Sequence, residues 1–175
     1  MVSIAELSRK QLLYNIISGK FNGVELQKYF DEAEVMGFLK GADFKNFDFR
    51  SLSLRGSFFH RANLKGANLE GVILRRADLR ETNLEGANLE GADLYRADLR
   101  RANLKEANLR NTYFKEANLN HSDLTSAQLY KADFYEASIK GAIFDKADLY
   151  NAFFTGVSGC PLNKNELRLR GAVVY

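Results

Sequence analysis

Residues 62–71 read Ala62-Asn63-Leu64-Lys65-Gly66 and then Ala67-Asn68-Leu69-Glu70-Gly71, and the same form returns as Ala92-Asp93-Leu94-Tyr95-Arg96. Taking the large apolar residue of each five as its centre, centres fall at Phe44, Phe49, Leu54 and every fifth residue to Phe154. These twenty-three centres comprise fifteen Leu, seven Phe and Ile139. The slot two before the centre is Ala in sixteen units; the exceptions are Phe47, Leu52, Ser57, Val72, Thr82, Thr112 and Ser122. The slot before the centre is mostly Asn or Asp, and the two after it are polar, charged, aromatic or Gly.

A period of five fits neither the 3.6 of an α-helix nor the 2 of a flat strand. Within each unit, however, a small and a large apolar residue stand two apart, and in extended chain such a pair points to one side. The other three residues must turn the backbone so that the next pair points inward again. Repetition winds a coil with an apolar lining. Asn, Asp and Gly suit its corners, since they tolerate left-handed conformations or bond their own backbone. One unit cannot bury its Leu alone, so coils must stack. The predicted structural core includes Leu64, Leu69, Leu74, Leu79, Leu84, Leu89, Leu94, Leu99, Leu104 and Leu109.

The A-(N/D)-L-x-x pattern over residues 42–156 resembles the pentapeptide repeat family. That resemblance implies a mainly β fold, a right-handed quadrilateral β-helix with one five per side and four per turn. It gives almost six coils here, a rod of about 28 Å at the spacing of stacked strands. Members of the family differ in function, so the resemblance transfers the fold more than an activity.

Outside the repeat, three regions are expected: an N-terminal helical cap and insertion over 1–41, the β-helix over 42–156, and a C-terminal cap or partial coil over 157–175. Ser3-x-x-Glu6 and Ser8-x-x-Gln11 are capping-box patterns. Leu12, Leu13, Ile16 and Ile17 then recur at helical spacing before Gly19, which predicts a helix from about Ser8 to Ser18 covering the open end of the coil. Phe21, Val24 and Leu26 look like an isolated repeat. Residues 25–38 read either as an extension of the cap or as an insertion that docks a partner. In the first coil, Phe47 and Leu52 in the Ala slot and Phe58 in the Asn/Asp slot predict an over-large interior. At the other end, Pro161 to Glu166 suggests a short helical turn with Pro161 early in it. Val157 keeps an inward slot, and Leu167, Leu169, Ala172 and Val174 return to the five-residue register. The apolar terminus either packs down as a cap or makes a dimer contact; some members of the family pair end to end, so a homodimer through the C-terminal end is one expectation.

A length of 175 residues suits one domain. The formal net charge is +3, mildly basic, which does not by itself point to nucleic acid. No apolar run approaches the ~20 residues of a membrane span, and no basic segment followed by an apolar run opens the chain, so no membrane insertion or secretory signal is expected. Cys160 is the only cysteine, which precludes an intrachain disulfide. A bacterial, cytoplasmic protein is the expectation.

No catalytic constellation, phosphate loop or metal motif emerges, so no enzyme activity, cofactor or metal is expected. His60 and His121 belong to the same side but lie three coils apart, about 14 Å at the stacking distance. Function is therefore expected on the outside of the rod. Arg75, Arg76 and Arg96 fall on one side and Arg80, Arg100 and Arg101 on the next, with Asp78, Glu81 and Asp98 among them. This is either a salt-bridged, solvated corner or a site for phosphate or an acidic protein surface. Tyr130 and Tyr150 stack one coil apart on one side, with Tyr113, Tyr135 and Phe153 on the adjacent one and Tyr95 nearby. They read either as stabilising ladders or as the apolar heart of an interface. Basic and aromatic groups are placed on different coils, so nucleic acid is not the expected partner. The expected function is a non-catalytic protein–protein interaction or scaffold module docking another protein along the rod. One alternative is the DNA mimicry by which some members of the family bind gyrase, which the positive charge disfavours; the other is an anionic or nucleic-acid ligand at the arginine corner.

Overall fold

In the computed structural model, which describes residues 39–50 and 52–174, residue i pairs in parallel with residue i+20: Asn63 with Asn83, Asn68 with Asn88, Ile73 with Asp93 and Asp78 with Asp98. Pairing steps by five along the chain and by twenty between neighbours, so four units make one turn, as the resemblance implies. The four sides are named here by their centres: first (Phe44, Leu64, Leu84), second (Phe49, Leu69, Leu89), third (Leu54, Leu74, Leu94) and fourth (Phe59, Leu79, Leu99). The expected helix from Ser8 to Ser18, the isolated repeat at Phe21–Leu26 and the 25–38 insertion lie outside the described residues.

One unit shows why the sequence takes this form. Asn63 N–H donates to Ala42 O at 2.9 Å in the coil before, while Leu64 N–H and Gly66 N–H donate to Asn83 O and Glu85 O in the coil after, at 2.7 and 2.9 Å. Ala67 N–H closes the turn onto Leu64 O at 3.0 Å. The remaining donor, Lys65 N–H, is met by the side chain of Asn63 through Oδ1 at 3.3 Å. Thus all five N–H groups are paired, as buried backbone requires. The Asn/Asp preference before the centre is explained by that last bond: its oxygen caps the N–H two residues on.

The left-handed residue is a different one. It is the second after the centre, at φ near +60° throughout: Gly66, Gly71, Gly86 and Gly91, but also fifteen non-glycine residues including Arg76, Glu81, Arg96, Arg101 and His121. Asn and Asp therefore serve the corner mainly by their side chains, and Asn occupies the left-handed position only at Asn46, Asn111 and Asn151. An L-residue there costs about 1–2 kcal/mol, offset by the stacking bond its N–H makes to the next coil.

Every predicted core leucine from Leu64 to Leu109 is fully buried, and the Ala slot is closed beside it. A buried Leu contributes about 1.5–3 kcal/mol. Three of the four hydroxyls in the Ala slot find a carbonyl: Thr82 Oγ1 donates to Phe59 O at 2.8 Å, Thr112 Oγ1 to Leu89 O at 2.9 Å and Ser122 Oγ to Leu119 O at 2.8 Å, while the buried Ser57 Oγ has no partner among the described residues. The first coil is filled by aromatic rings; Phe44, Phe49 and Phe59 meet edge to face at 5.3–6.0 Å, with Phe47 half-buried against Phe49 at 4.6 Å. Leu52 is also inside, but Phe58 is not. Its slot points outward and the ring is 51% exposed, so it adds nothing to the interior volume expected of it.

At the C-terminal end, where the sequence leaves both a cap and a partial coil open, the chain forms a short helix and then one more pairing. Gly159 stands where the next centre would be, at φ +68°, with Lys140 so close that a Cβ would lie 2.9 Å from the Lys140 Cα. Helix α1, Lys164–Leu169, then replaces two sides of the coil. It starts after Asn163, not Pro161, in a reciprocal cap: Asn163 Oδ1 accepts from Glu166 N–H at 3.0 Å and Glu166 Oε2 accepts from Asn163 N–H at 2.8 Å. Within the expected inward pair only Leu167 is buried; helical geometry turns Leu169 away, 87% exposed. The chain regains register at Val173, which pairs with Phe153.

Candidate interaction faces

The four sides carry different chemistry. Along the first and second sides the slot before the centre forms amide ladders. Asn63 Nδ2 donates to Asp43 Oδ1 at 2.8 Å, Asn103 to Asn83 at 3.1 Å and Asn108 to Asn88 at 2.9 Å. These rows satisfy one another and leave little for a partner.

On the third side the same column reads Ile73, Asp93, Tyr113, Asp133, Phe153, alternating apolar and acidic groups along successive coils. Ile73, Tyr113, Tyr135 and Phe153 are exposed, Tyr113 to 54%. Cations lie over the rings: Arg96 is 4.9 Å and Arg75 5.8 Å from the Tyr95 centroid, and Lys115 is 4.6 Å from that of Tyr135. Arg75, Tyr95, Tyr113 and Lys115, with Asp93 and Asp133, line a shallow groove of about 430 Å³. Basic and aromatic groups are therefore interleaved on one face, not separated on different coils as expected. Tyr95 joins them. Tyr130 and Tyr150 stack on the second side, 6.2 Å apart and 10° from parallel, with Lys131 over Tyr130.

Four of the six candidate arginines are held in ion pairs. Arg75 meets Asp93 at 2.6 Å, Arg96 meets Glu116 at 2.6 Å, Arg80 meets Asp78 at 2.6 Å and Arg100 meets Asp98 at 2.6 Å. Hydrogen bonds from Arg80 hold the Asp78 carboxyl below its ordinary value against partial burial, and Arg96 does the same for Glu116. Arg76 and Arg101, both on left-handed corners, make no ion pair among the described residues. The six do not act as one basic cluster, because the acids placed between them in sequence lie in bonding range in space.

The fourth side opens into a groove of about 460 Å³ lined by Arg80, Glu81, Arg100, Arg101, Asn120, His121 and Lys140. Asn120 and Lys140 had no signal in the sequence beyond their register, since a single Asn or Lys after a centre looks like any other. Among the described residues no group of His, Cys, Asp and Glu side chains is placed to hold a metal ion. Burial raises the Cys160 thiol above its ordinary pKa, which disfavours the reactive thiolate.

The repeat matches a known family. The family described as Pentapeptide repeats matches in eight copies over residues 39–71, 62–101, 73–111 and 102–141. Among solved structures, the chain is similar to HetL, a pentapeptide repeat protein involved in heterocyst differentiation regulation from the cyanobacterium Nostoc sp. strain PCC 7120, at 30% identity over 69% of this chain and 62% of that one, with a TM-score of 0.31. It is similar to Rfr23 from the cyanobacterium Cyanothece 51142 at 25% identity, over 76% of this chain and 64% of that one, with a TM-score of 0.33. For QnrB1, a plasmid-mediated fluoroquinolone resistance protein, the identity is 18% over 77% of this chain and 81% of that one, with a TM-score of 0.35. The chain thus spans less than two thirds of the length of HetL and Rfr23. No curated protein matches it. A twenty-residue pairing period, an Ala and Leu lining and eight matched copies lead to one statement: this chain belongs to the pentapeptide repeat family.

Proposed function

We propose that the protein is a non-catalytic interaction module that docks another protein against its third side. The observation that carries this reading is the exposure of Tyr113, Tyr135 and Phe153 on one face that also holds cations over Tyr95 and Tyr135. Rigid aromatic side chains beside Arg and Lys supply contact area at low entropy cost, the composition of interface hot spots. The amide rows of the first and second sides carry no ring in the slot before the centre, and the second side's Tyr130 and Tyr150 are stacked on each other. The gyrase-mimic alternative needs an acidic track, and a third side carrying Arg75, Arg76, Arg96 and Lys115 on a chain of net charge +3 weighs against it.

A photo-crosslinking residue placed at Tyr113 or Tyr135 in the source cell should give discrete cross-linked species, whereas the same residue at Glu70 or Glu90 on the second side should give none. Equal labelling of both sides, or none from either, would overturn the reading. A homodimer through the C-terminal end is a second reading, favoured by the 87% exposure of Leu169 on α1. Sedimentation should then show a dimer that Leu169→Glu converts to monomer; a monomer at all concentrations would exclude it.

A further inference from the structure

The fourth side changes character beyond Asp98. Arg61, Arg80 and Arg100 are bound to Glu81, Asp78 and Asp98. From Arg100 onward the outward slots of this side hold Arg101, Asn118, Asn120, His121, Ser138, Lys140 and Gly141, with no carboxylate. The Arg101 guanidinium and the Lys140 ammonium make no ion pair among the described residues. Asn120 is oriented from within: its Oδ1 accepts from Ser138 Oγ at 2.8 Å and from Lys140 N–H at 2.7 Å. Both acceptor lone pairs are engaged, and the amide N–H groups find no acceptor among the described residues. The His121 ring lies along the rod over Gly141, where a Cβ would come within 2.7 Å of Nδ1. Gly141 thus makes the room in which the imidazole rests on the groove floor.

We propose that this groove seats the carboxylates of an acidic segment of a partner protein, with Arg101 and Lys140 supplying charge and Asn120 and His121 supplying further N–H donors. The inference rests on the interaction-module reading and names the chemistry of the partner. Its dimensions favour a peptide. The unpaired donors run from Arg101 to Lys140, two coil steps or roughly 10 Å, enough for two or three carboxylates. Glu81 borders the groove at one end, and Glu116 and Glu136 occupy the preceding corner of the same coils. A nucleic-acid backbone, charged at every step, would have to pass those carboxylates. An acidic segment can place neutral residues there.

The test is fluorescence anisotropy of fluorescein-labelled hexaglutamate with the full chain, against hexaglutamine and an oligothymidylate of matched length. Hexaglutamate should bind, weaken with salt, and lose at least about tenfold in affinity in the Arg101→Glu/Lys140→Glu double variant, as reversal of facing charges requires. Glu is native at the equivalent left-handed corners Glu81, Glu116 and Glu136, so the variant should fold; Arg101→Ala/Lys140→Ala, with an unchanged circular dichroism spectrum, guards the result. Tyr113→Ala/Lys115→Ala on the third side should leave hexaglutamate affinity unchanged. Absent hexaglutamate binding, equal affinity in wild type and the double variant, or tighter oligothymidylate binding that the double variant abolishes would each overturn the proposal. If cross-links at Tyr113 and Tyr135 persist while hexaglutamate fails to bind, the groove is refuted and the interaction reading stands. If hexaglutamate binds as stated and those cross-links never form, the third-side reading is the one that fails.

Discussion

In the middle of the rod the carbonyl of Ala62 accepts from Asn83 N–H, one residue of an identical coil. At the C-terminal end the equivalent carbonyl, that of Ala147, has no coil above it, and the guanidinium of Arg170 meets it instead, bonding Ala147 O at 2.5 Å and Phe144 O at 2.8 Å. Leu167 lies over the apolar cross-section that the next coil would have covered. The contrast shows that a repeat specifies its own continuation but not its termination. Each coil presents the same donors and acceptors to the next, so an unmodified end would recruit another strand edge. Stopping requires residues that break the pattern: a glycine at the vacant centre, a capped helix, one arginine and one leucine.

The sharpest way to break this comparison is to attack the body of the rod. Ala97, 1% exposed, sits in an inward slot that holds an uncharged side chain in every unit. Ala97→Lys would force a charged chain into the lining, or open the turn, and should abolish cooperative unfolding or lower Tm more than any other substitution considered. Leu89→Ala should cost about 2–5 kcal/mol, because the stacked backbone holds the cavity open. Thermal unfolding followed by far-ultraviolet circular dichroism measures both; an Ala97→Lys protein with wild-type Tm would mean that this slot faces water.

The cap should respond differently. Arg170→Ala removes two charge-assisted bonds and leaves the Ala147 carbonyl unmet, a loss of about 1.5–3 kcal/mol where it is felt. In a stack of coils that loss should stay local. Hydrogen exchange should accelerate at Phe154 and Val173, whose N–H groups bond across the last coil, while Leu89 and Leu104 keep their protection. Uniform acceleration through the rod would show that cap and body unfold as one unit.

What the sequence conveyed follows the same division. The lining was legible because each inward slot recurs twenty-three times in one register, and periodicity reports burial directly. The corner chemistry was half legible: Asn and Asp were recognised, but the left-handed residue is two positions beyond the centre, where Arg, Glu, Lys and His together outnumber Gly and give no compositional signal. The cap misled because Leu167 and Leu169 keep an inward spacing that a helix converts into one buried and one exposed residue. The outer faces were least legible. Sequence placed Arg75 and Arg96 near acids and set the aromatic groups on other coils, but only the geometry shows which arginines are engaged, and it leaves Arg101 among the unpaired donors together with Asn120, His121 and Lys140.

The smallest expected effect concerns an ion pair within one unit of the fourth side, that of Asp78 with Arg80. Asp78 has a folded pKa below its ordinary 3.8, mainly through the hydrogen bond from Arg80. A depressed folded value means that the unfolded chain binds the proton more readily, so the contribution is present above the unfolded pKa and disappears as pH falls through the folded one. Asp78→Asn is the informative variant, because Asn occupies this slot at Asn63 and Asn68 and can still accept from the N–H two residues on. At pH 7 it should lower Tm by on the order of 1–3 °C, given that Arg80 is part-exposed and the pair is screened by solvent. As pH falls below the ordinary carboxylate value the difference between the two proteins should narrow, and it should close as pH passes through the lowered folded value. A gap that does not narrow on acidification would assign the role of Asp78 to its backbone bond and packing, making the fourth side's acids part of the fold and not only partners for its arginines.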